Sequence, residues 1–559
     1  MNLLTTTPIF QSHMVLQREK PIVVKGQAPA HARVSVCLQT PDGSVNADTY
    51  AAAVSENDQA SLGAWQCTLP PQPACENAVL TITCDHPFCE TITLTEVSIG
   101  DIWLACGQSN MEFFLRYDAD WDTVRTYEKN PKIHMYNVPQ LAFSGQQRDT
   151  TGYGCWLMEG DIGFDTFSAP GYSFARNIQP HINVPIGIIG CNWGGSTATA
   201  WLDESCLEEE PLSVYLREYE AALSEYTPEE MTRRSLEGWA FETSVRHTED
   251  FMPLLYGRDR AWQEAYMEDH KGDPFVPMGP YNINRPGGLY HQMLEPLIPF
   301  AIKGVLWYQG ESDAGHADMY DKLMTSLITW WRNKWNDEFP FLFVQLAPFG
   351  VWLDCDSQNY TQVREKQELV SKTIPHTGMV SIMDIGSYYD IHPKQKMEVG
   401  RRLALLARGK VYGEDILCES PEFVSAVREQ TDITDHLDCP NAQAEKGKTT
   451  VITLSFTNCG ELHRKELTYD TISAAPQNAV TDGTRIVTNI TDDITGFVLL
   501  QDGKEVPITS INIKGASVVL TADALTDAPC IIQFAWADYA VANLCNEAGL
   551  PIKPFRCEV

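Results

Sequence analysis

The chain has 559 residues, of which 43% are hydrophobic and 10% aromatic, and its formal net charge is −33 at pH 7. Its length exceeds one ordinary core, so we expect a globular protein of about two to four domains. The acidic charge excludes nucleic acid as a partner, because phosphates would be repelled. No apolar run is long enough to predict a membrane span.

The cysteines indicate no metal site. There are 16 of them, without a CxxC pair, so the sequence predicts neither a zinc site nor a disulfide scaffold. We expect no metal and no other cofactor. Residues 1–8 lack the basic and apolar segments of a secretory signal. The chain as given is therefore expected in the cytoplasm, or outside it if a signal peptide has been removed.

Residues 1–95 contain short runs of alternating apolar residues, such as 32–38 and 78–84, separated by Pro, Gly and Asn turns. This pattern predicts a small antiparallel β-domain of the sandwich type. Residues 96–415 instead alternate apolar strand candidates with helical patterns. The alternation predicts an α/β domain with a parallel sheet and right-handed crossovers.

Two later segments depart from the α/β pattern. Residues 205–285 are acidic, helical and rich in aromatic side chains, which indicates an insertion. It could be a solvated appendage or a lid that faces the substrate. Residues 416–559 return to alternating runs, clearest at 449–456 and 517–520, and predict a second β-domain.

The most informative motif is Gly107–Met111 (GQSNM), which follows the apolar run 97–106. In an open α/β sheet, ligands bind beyond the carboxyl ends of the strands. The glycine allows a sharp turn that presents Ser109 there, with backbone N–H groups beside it. Ser109 is therefore a candidate nucleophile.

Three further blocks complete the inventory of a serine esterase. Two follow apolar strands, namely Trp193–Ser196 (WGGS) and Trp307–Ser312 (WYQGES), and the third is Asp390–Pro393 (DIHP). They supply a glycine turn, a side-chain amide, and a histidine with a nearby carboxylate. A serine esterase needs these groups as oxyanion donors, general base and orienting acid.

The four blocks, in this order, resemble the GDSL/SGNH hydrolase superfamily and, within it, the sialate O-acetylesterase family of carbohydrate esterases. Segments 8–18, 534–539 and 549–556 resemble the family's opening and closing segments. The resemblance implies an SGNH-type, flavodoxin-like parallel sheet with helices on both faces, over residues 96–415. It also implies flanking β-sandwich-like domains at 1–95 and 416–559.

The resemblance and the position after the last strand assign His392 as the general base for Ser109. The orienting acid stays open. Asp390 lies two residues before His392, whereas the superfamily often has Asp three residues before, where this chain has Tyr389. Asp390 could act through its side chain or only its carbonyl, and Asp384 is the alternative.

The predicted oxyanion donors are the backbone N–H of Ser109, a glycine N–H, for which Gly194 is preferred over Gly195, and the Gln309 amide. The superfamily commonly uses Asn where Gln309 stands. Beside the glycine turn, three residues are candidates for substrate binding, although core packing explains Trp201 equally well: Asn192, Trp193 and Trp201.

The function that the resemblance implies is metal-independent removal of acetyl groups from O-acetylated sialic acid or related sugars, through an acyl-serine. One alternative is an acetylesterase acting on xylan or another plant glycan. A non-catalytic glycan-binding protein is a further alternative, and the presence of both Ser109 and His392 argues against it. The sequence predicts no oligomeric state.

Overall fold

The computed structural model describes residues 2–52, 62–147, 150–246, 260–353, 355–356, 358–432, 448–467, 486–487, 490–523, 525–540 and 542–559. An α/β layer lies between two β-domains, which confirms the predicted fold class. None of the helices in these ranges has the length and apolar character that a bilayer crossing requires.

The N-terminal domain has two sheets, one ordered β1-β3-β6 and the other built on β4, β5, β7 and the first part of β8. Strand β8 then continues into the central sheet, so it passes through the predicted boundary at residue 95. The strands are β1 (Thr5–Thr6), β2 (Val15–Gln17), β3 (Ile22–Pro29), β4 (Arg33–Thr40), β5 (Gly43–Tyr50), β6 (Leu62–Leu69), β7 (Cys75–Cys84) and β8 (Ile92–Gly107).

The central sheet has the order β10-β9-β11-β8-β12-β13-β16, and every pair in it is parallel except β10 with β9. Because β11 lies between β8 and β9, the order differs from the 2-1-3-4-5 arrangement of flavodoxin-like sheets. Two short strands, β14 and β15, form a separate hairpin. The strands are β9 (Ile133–Asn137), β10 (Trp156–Met158), β11 (Ile186–Asn192), β12 (Gly304–Tyr308), β13 (Phe341–Val344), β14 (Val351–Trp352), β15 (Cys355–Asp356) and β16 (Thr377–Val380).

Helices cover both faces of this sheet. Along β8, Trp103 and Ala105 pack in one core with α3 and α9, whereas Leu104 and Cys106 pack in another with α7 and α8. This division follows from the alternation of side chains along a strand. The α-helices are α1 (Ser109–Glu112), α2 (Trp121–Val124), α3 (Ala169–Ile182), α4 (Ser213–Leu223), α5 (Pro228–Arg246), α6 (Arg260–Asp269), α7 (Tyr320–Trp335), α8 (Tyr360–Thr373) and α9 (Lys396–Lys410).

Shorter helical turns lie between these helices. Six are 3-10 turns, at Leu115–Tyr117, Phe164–Thr166, Ala198–Trp201, Glu204–Leu207, Glu295–Leu297 and Glu311–Met319, and one π turn spans Tyr290–Leu294. Helices α4, α5 and α6 lie in the predicted insertion. Its residues 247–259 fall outside the described ranges.

The C-terminal domain packs two four-stranded sheets around one apolar core. Their orders are β17-β18-β26-β25 and β24-β23-β27-β30. The strands are β17 (Glu422–Asp432), β18 (Lys448–Thr457), β19 (His463–Arg464), β20 (Ile486–Val487), β21 (Ile490–Thr491), β22 (Ile494–Thr495), β23 (Phe497–Gln501), β24 (Lys504–Val506), β25 (Ile508–Lys514), β26 (Ser517–Asp523), β27 (Cys530–Phe534), β28 (Tyr539–Ala540), β29 (Leu544–Cys545) and β30 (Phe555–Glu558).

Candidate active site

Ser109 lies at the first position of α1, directly after β8. The turn between them requires glycine, because Gly107 has φ 139° and a Cβ there would lie 2.2 Å from the Tyr308 carbonyl oxygen. The Gln108 N–H donates to that oxygen at 3.1 Å, and the Trp193 N–H donates to the Gly107 carbonyl at 3.1 Å. The carboxyl ends of β8, β11 and β12 therefore meet beneath Ser109.

The structure brings the predicted nucleophile and base together. The Nε2 atom of His392 lies 2.9 Å from Oγ of Ser109, which is a hydrogen-bond distance. The His392 ring is buried and contacts the Trp352 ring edge to face, with 5.1 Å between centroids. In this geometry Nε2 can accept the hydroxyl proton as Ser109 attacks a carbonyl.

The Asp390 carboxylate lies closer to the backbone of His392 than to the imidazole ring of His392. Oδ1 of Asp390 is 3.8 Å from Nδ1 of His392, which is longer than a hydrogen bond. The same oxygen accepts the His392 backbone N–H at 2.8 Å, and Oδ2 pairs with Lys394 at 2.9 Å. Asp390 therefore fixes the loop that carries the histidine and places a negative charge near the ring.

The alternative acid, Asp384, has a different role. Its carboxylate accepts two hydrogen bonds from Arg402, both at 2.7 Å, and a third from Lys465 at 2.6 Å. Burial alone would raise the pKa of Asp384, but the charges of Arg402 and Lys465 hold it below its ordinary value. Asp384 is thus the centre of a buried ion-pair cluster.

Gly194 borders the nucleophile, as predicted. A Cβ on Gly194 would lie 3.3 Å from Cβ of Ser109, so a larger residue would crowd the serine. The Gly194 N–H, however, donates to Oε2 of Glu112 at 2.6 Å. The Ser109 N–H, at the first helical position, has no intrahelical acceptor and no acceptor elsewhere among the described residues.

Gln309, the predicted amide donor, is buried and does not line the cavity beside Ser109. Its amide nitrogen donates to Oδ2 of Asp313 and, at 3.2 Å, to the Ser196 carbonyl. Its amide oxygen accepts the Tyr320 hydroxyl at 2.9 Å. Asp313 is buried, and burial raises the pKa of its carboxyl group to about 6. A buried carboxyl group needs a hydrogen-bond partner, and the Gln309 amide supplies one.

A different amide, that of Gln108, borders the cavity beside Ser109. Its oxygen accepts the backbone N–H of Gly310 at 3.4 Å and of Ser312 at 3.2 Å. These contacts connect the GQSNM turn to the loop after β12. Sequence reasoning missed Gln108, although it belongs to the same motif as the nucleophile.

A buried polar network lies below the catalytic pair. The Asn110 amide donates to the Ile391 carbonyl at 3.0 Å and to Oε1 of Glu311 at 2.6 Å, and its oxygen accepts Nζ of Lys396 at 2.5 Å. Burial lowers the pKa of Lys396 to about 7, although Glu311 opposes the shift. This Asn110 network ties the residue after Ser109 to the residue before His392.

Ser109 and His392 open into a cavity of about 880 Å³. The described residues that line it include three tryptophans and four carboxylates. They include no lysine and no arginine. The tryptophans are Trp193, Trp239 and Trp352, and the carboxylates are Glu112, Glu242, Glu311 and Asp356.

Of the predicted substrate-binding residues, only Trp193 lines the cavity. Asn192 is buried, and its amide donates to the Ala105 carbonyl at 3.2 Å. Trp201 is fully buried in the core and donates to Oγ of Ser196 at 2.9 Å. Both side chains thus point into the protein interior rather than into the cavity.

The insertion contributes part of the cavity wall. Trp239 of α5 packs against Trp193 with 5.9 Å between ring centroids, and Glu242 and Val276 also line the space. Of the two alternatives for this segment, the structure therefore favours the one that faces the substrate. Neither Trp239 nor Trp352 belongs to a sequence motif, so sequence reasoning missed them.

Within the described ranges, one group of side chains has a geometry that could hold a metal ion, and it comprises Asp203, Glu204 and His291. The His291 ring is already hydrogen-bonded on both nitrogens, to Glu204 and to Glu295, each at 2.9 Å. Burial opposes its charged form, but these carboxylates outweigh that effect and raise its pKa. The group does not border the cavity of Ser109.

Known proteins share this architecture. A family model described as a carbohydrate esterase, sialic acid-specific acetylesterase, matches residues 99–231 and 280–407. The sialate O-acetylesterase of Rattus norvegicus is 25% identical over 72% of this chain and 73% of its own length. The one from Homo sapiens is 24% identical over 72% and 70%. A novel carbohydrate acetylesterase from Xanthomonas citri superposes with a TM-score of 0.67, at 26% identity and 99% coverage of both chains.

A serine beside a histidine at the carboxyl edge of a parallel sheet defines a serine-type carboxylic ester hydrolase. Within that class, residues 99–231 and 280–407 of the α/β domain match the family model of sialic acid-specific acetylesterases among the carbohydrate esterases, and the chain is similar to members of that group.

Replacing the nucleophile tests the site directly. We expect Ser109→Ala to lower kcat on a chromogenic acetyl ester by about 10³-fold or more, because it removes the hydroxyl that lies 2.9 Å from Nε2 of His392. Ser312→Ala, which alters another serine of the cavity, should stay within about tenfold of wild type. Circular dichroism should show the same fold for both variants. Equal activity of Ser109→Ala and wild type would remove Ser109 from the mechanism.

Substitution of Asp390 should affect kcat, whereas substitution of Asp384 should affect the stability of the fold. Asp390→Asn should lower kcat by about tenfold, less than the loss of a directly bonded triad acid, because the contact with the ring is 3.8 Å. Asp384→Asn should instead destabilise the fold by about 3–5 kcal/mol, as breaking a buried ion pair does. Steady-state kinetics and urea unfolding measure the two effects. A large loss of kcat in Asp384→Asn at unchanged stability would reverse this assignment.

Lys396 should make stability depend on pH. Its pKa is about 7 in the folded protein, against about 10.4 in an unfolded chain. Between these values the unfolded chain binds more protons, so the free energy of unfolding rises with pH. From about pH 7 to 9, wild type should gain stability over Lys396→Met by about 1 kcal/mol per pH unit. Denaturant unfolding at several pH values measures this, and parallel curves for the two proteins would contradict it.

Proposed function

We propose that this protein removes acetyl groups from O-acetylated carbohydrates by way of an acyl-serine. The observation that carries the proposal is the 2.9 Å contact between Oγ of Ser109 and Nε2 of His392 at the base of a cavity bordered by three tryptophans. Aromatic faces suit the apolar faces of sugar rings. The family and the Xanthomonas citri acetylesterase support the same chemistry.

In the proposed reaction, Oγ of Ser109 attacks the acetyl carbonyl carbon while His392 takes the hydroxyl proton at Nε2. The tetrahedral intermediate collapses, the ester C–O bond breaks, and His392 gives its proton to the departing sugar oxygen. A water molecule then loses a proton to His392 and attacks the acyl-serine. Acetate leaves, and the proton returns to Oγ of Ser109.

The oxyanion of each intermediate needs aimed donors. We assign the Ser109 N–H as the first, because the described structure gives it no other acceptor. The Gly194 N–H is the second, once the substrate oxyanion replaces the Glu112 carboxylate that accepts it at 2.6 Å. The Gln108 amide, which borders the cavity, is the third. Asp390 holds the histidine loop in this scheme.

Two sugar classes remain candidates. The family description and the relatives named sialate O-acetylesterase favour an O-acetylated sialic acid. The cavity wall favours a neutral acetylated glycan, because carboxylates such as the exposed Asp356 line it and would repel a sialate carboxylate. The net charge of −33 acts in the same direction.

Acetate release from two substrates tests this choice. If the first candidate is correct, O-acetylated N-acetylneuraminic acid should have a kcat/KM at least about tenfold above that of acetylated xylo-oligosaccharides. Its KM should also fall as salt is added, since ions screen the carboxylates of the wall. Ser109→Ala serves as the blank. The reverse ranking would select the neutral glycan, and no release from either sugar would refute the carbohydrate assignment.

A further inference from the structure

Two surface depressions lie next to the catalytic cavity. Gln358 and Asn359 line both the catalytic cavity and a second depression of about 470 Å³. Glu365 and Trp536 line both this depression and a third one of about 430 Å³. The three spaces therefore adjoin one another along α8. We call the second and third together the α8 groove.

The groove has the length to hold more than the sugar at Ser109. It follows α8 from Asn359, at the border of the cavity, to Glu365. Six residues of α-helix rise about 9 Å, and the third depression extends the groove beyond Glu365. The groove shares the lining residues Gln358 and Asn359 with the active-site cavity, so it lies within reach of a molecule that is anchored at Ser109 and longer than one sugar.

Trp536 is held in place on the far wall of the groove by a buried arginine. Arg364 of α8 donates to the carbonyls of Ala537 and Asp538, both at 2.8 Å. Oδ1 of Asp538 in turn accepts the Thr361 N–H at 3.1 Å and its hydroxyl at 3.0 Å. The C-terminal domain thus presents a half-buried indole from a backbone segment that is fixed to the catalytic domain.

The chemistry of the groove fits a carbohydrate chain. Amide, hydroxyl and carboxylate groups from Gln358, Thr361, Gln362 and Glu365 can exchange hydrogen bonds with sugar hydroxyls. The indole of Trp536 offers an apolar face for the C–H side of a sugar ring. The third depression adds the rings of Phe423 and Phe555, so the groove combines aromatic faces with polar side chains, which suits an oligosaccharide.

We propose that the α8 groove binds the sugar units beyond the acetylated one, so that the substrate is an oligosaccharide or polysaccharide and Trp536 is a binding residue for it. The proposal rests on the proposed carbohydrate esterase activity. It assigns a function to the closing segment 534–539, which takes no part in the acyl transfer.

Chain-length dependence tests the groove. The substrates are a small chromogenic acetyl ester and two acetylated series, xylo-oligosaccharides and oligosialic acids, each from the monosaccharide to the hexamer. In the series that is turned over, kcat/KM of wild type should rise with length. Trp536→Ala should raise KM for the hexamer about tenfold, which corresponds to about 1.4 kcal/mol of binding. Trp536→Phe, which keeps an aromatic face, should restore most of the affinity.

The controls separate this inference from the proposed function. Trp536→Ala should leave the small ester and the monosaccharide unchanged, and Trp330→Ala, a half-buried tryptophan of α7, should change no length dependence. Equal effects of Trp536→Ala at every length, or an equal loss on the small ester, would overturn the groove while leaving the esterase intact. Turnover of the small ester without turnover of any acetylated sugar would instead refute the carbohydrate function.

Discussion

The close approach of Gly107 to the Tyr308 carbonyl determines where the catalytic groups can meet. Any Cβ at position 107 would lie 2.2 Å from that oxygen and would force β8 away from β12. With glycine, the ends of three parallel strands are joined by backbone hydrogen bonds. The first residues after each strand then lie within one small region, so Gly194 becomes a neighbour of Ser109 although the two are far apart in the sequence.

The position of His392 depends on its loop more than on a carboxylate bonded to its ring. Asp390 holds the His392 backbone N–H, and Asn110 holds the carbonyl of Ile391. Asn110 is in turn fixed by Glu311 and Lys396, two ionisable groups whose burial disfavours their charged forms. Removing one member would leave the other charge uncompensated in the interior, a costly state. The network therefore maintains the 2.9 Å contact with Ser109 by making displacement of the loop unfavourable.

The sequence motifs indicate which residues follow the strand ends, but they do not indicate in which direction each side chain points. The α/β class, the Ser109–His392 pair and the nearness of Gly194 follow from motifs that end apolar strands. Gln309, Asn192 and Trp201 lie in the same motifs, but buried acceptors, or in the case of Trp201 an apolar core, draw their side chains inward. Trp239 and Trp352 reach the cavity from an insertion and a hairpin without a motif, so only tertiary packing could reveal them. The boundary expected at residue 95 falls inside β8, because a single strand serves two sheets.

The C-terminal domain is joined to the catalytic domain by a contact that tolerates little sliding. The Arg364 guanidinium is fully buried and donates to four carbonyls, two before α8 (Leu346 and Ala347) and two in the C-terminal domain (Ala537 and Asp538). Burial lowers its pKa to about 10, so the charge has a desolvation cost, which these acceptors and the nearby charge of Asp538 offset in part. A shift of either domain would break two of the four bonds and leave a buried cation partly unsatisfied. The interface therefore favours one relative position of the domains, and in that position Trp536 lines the α8 groove.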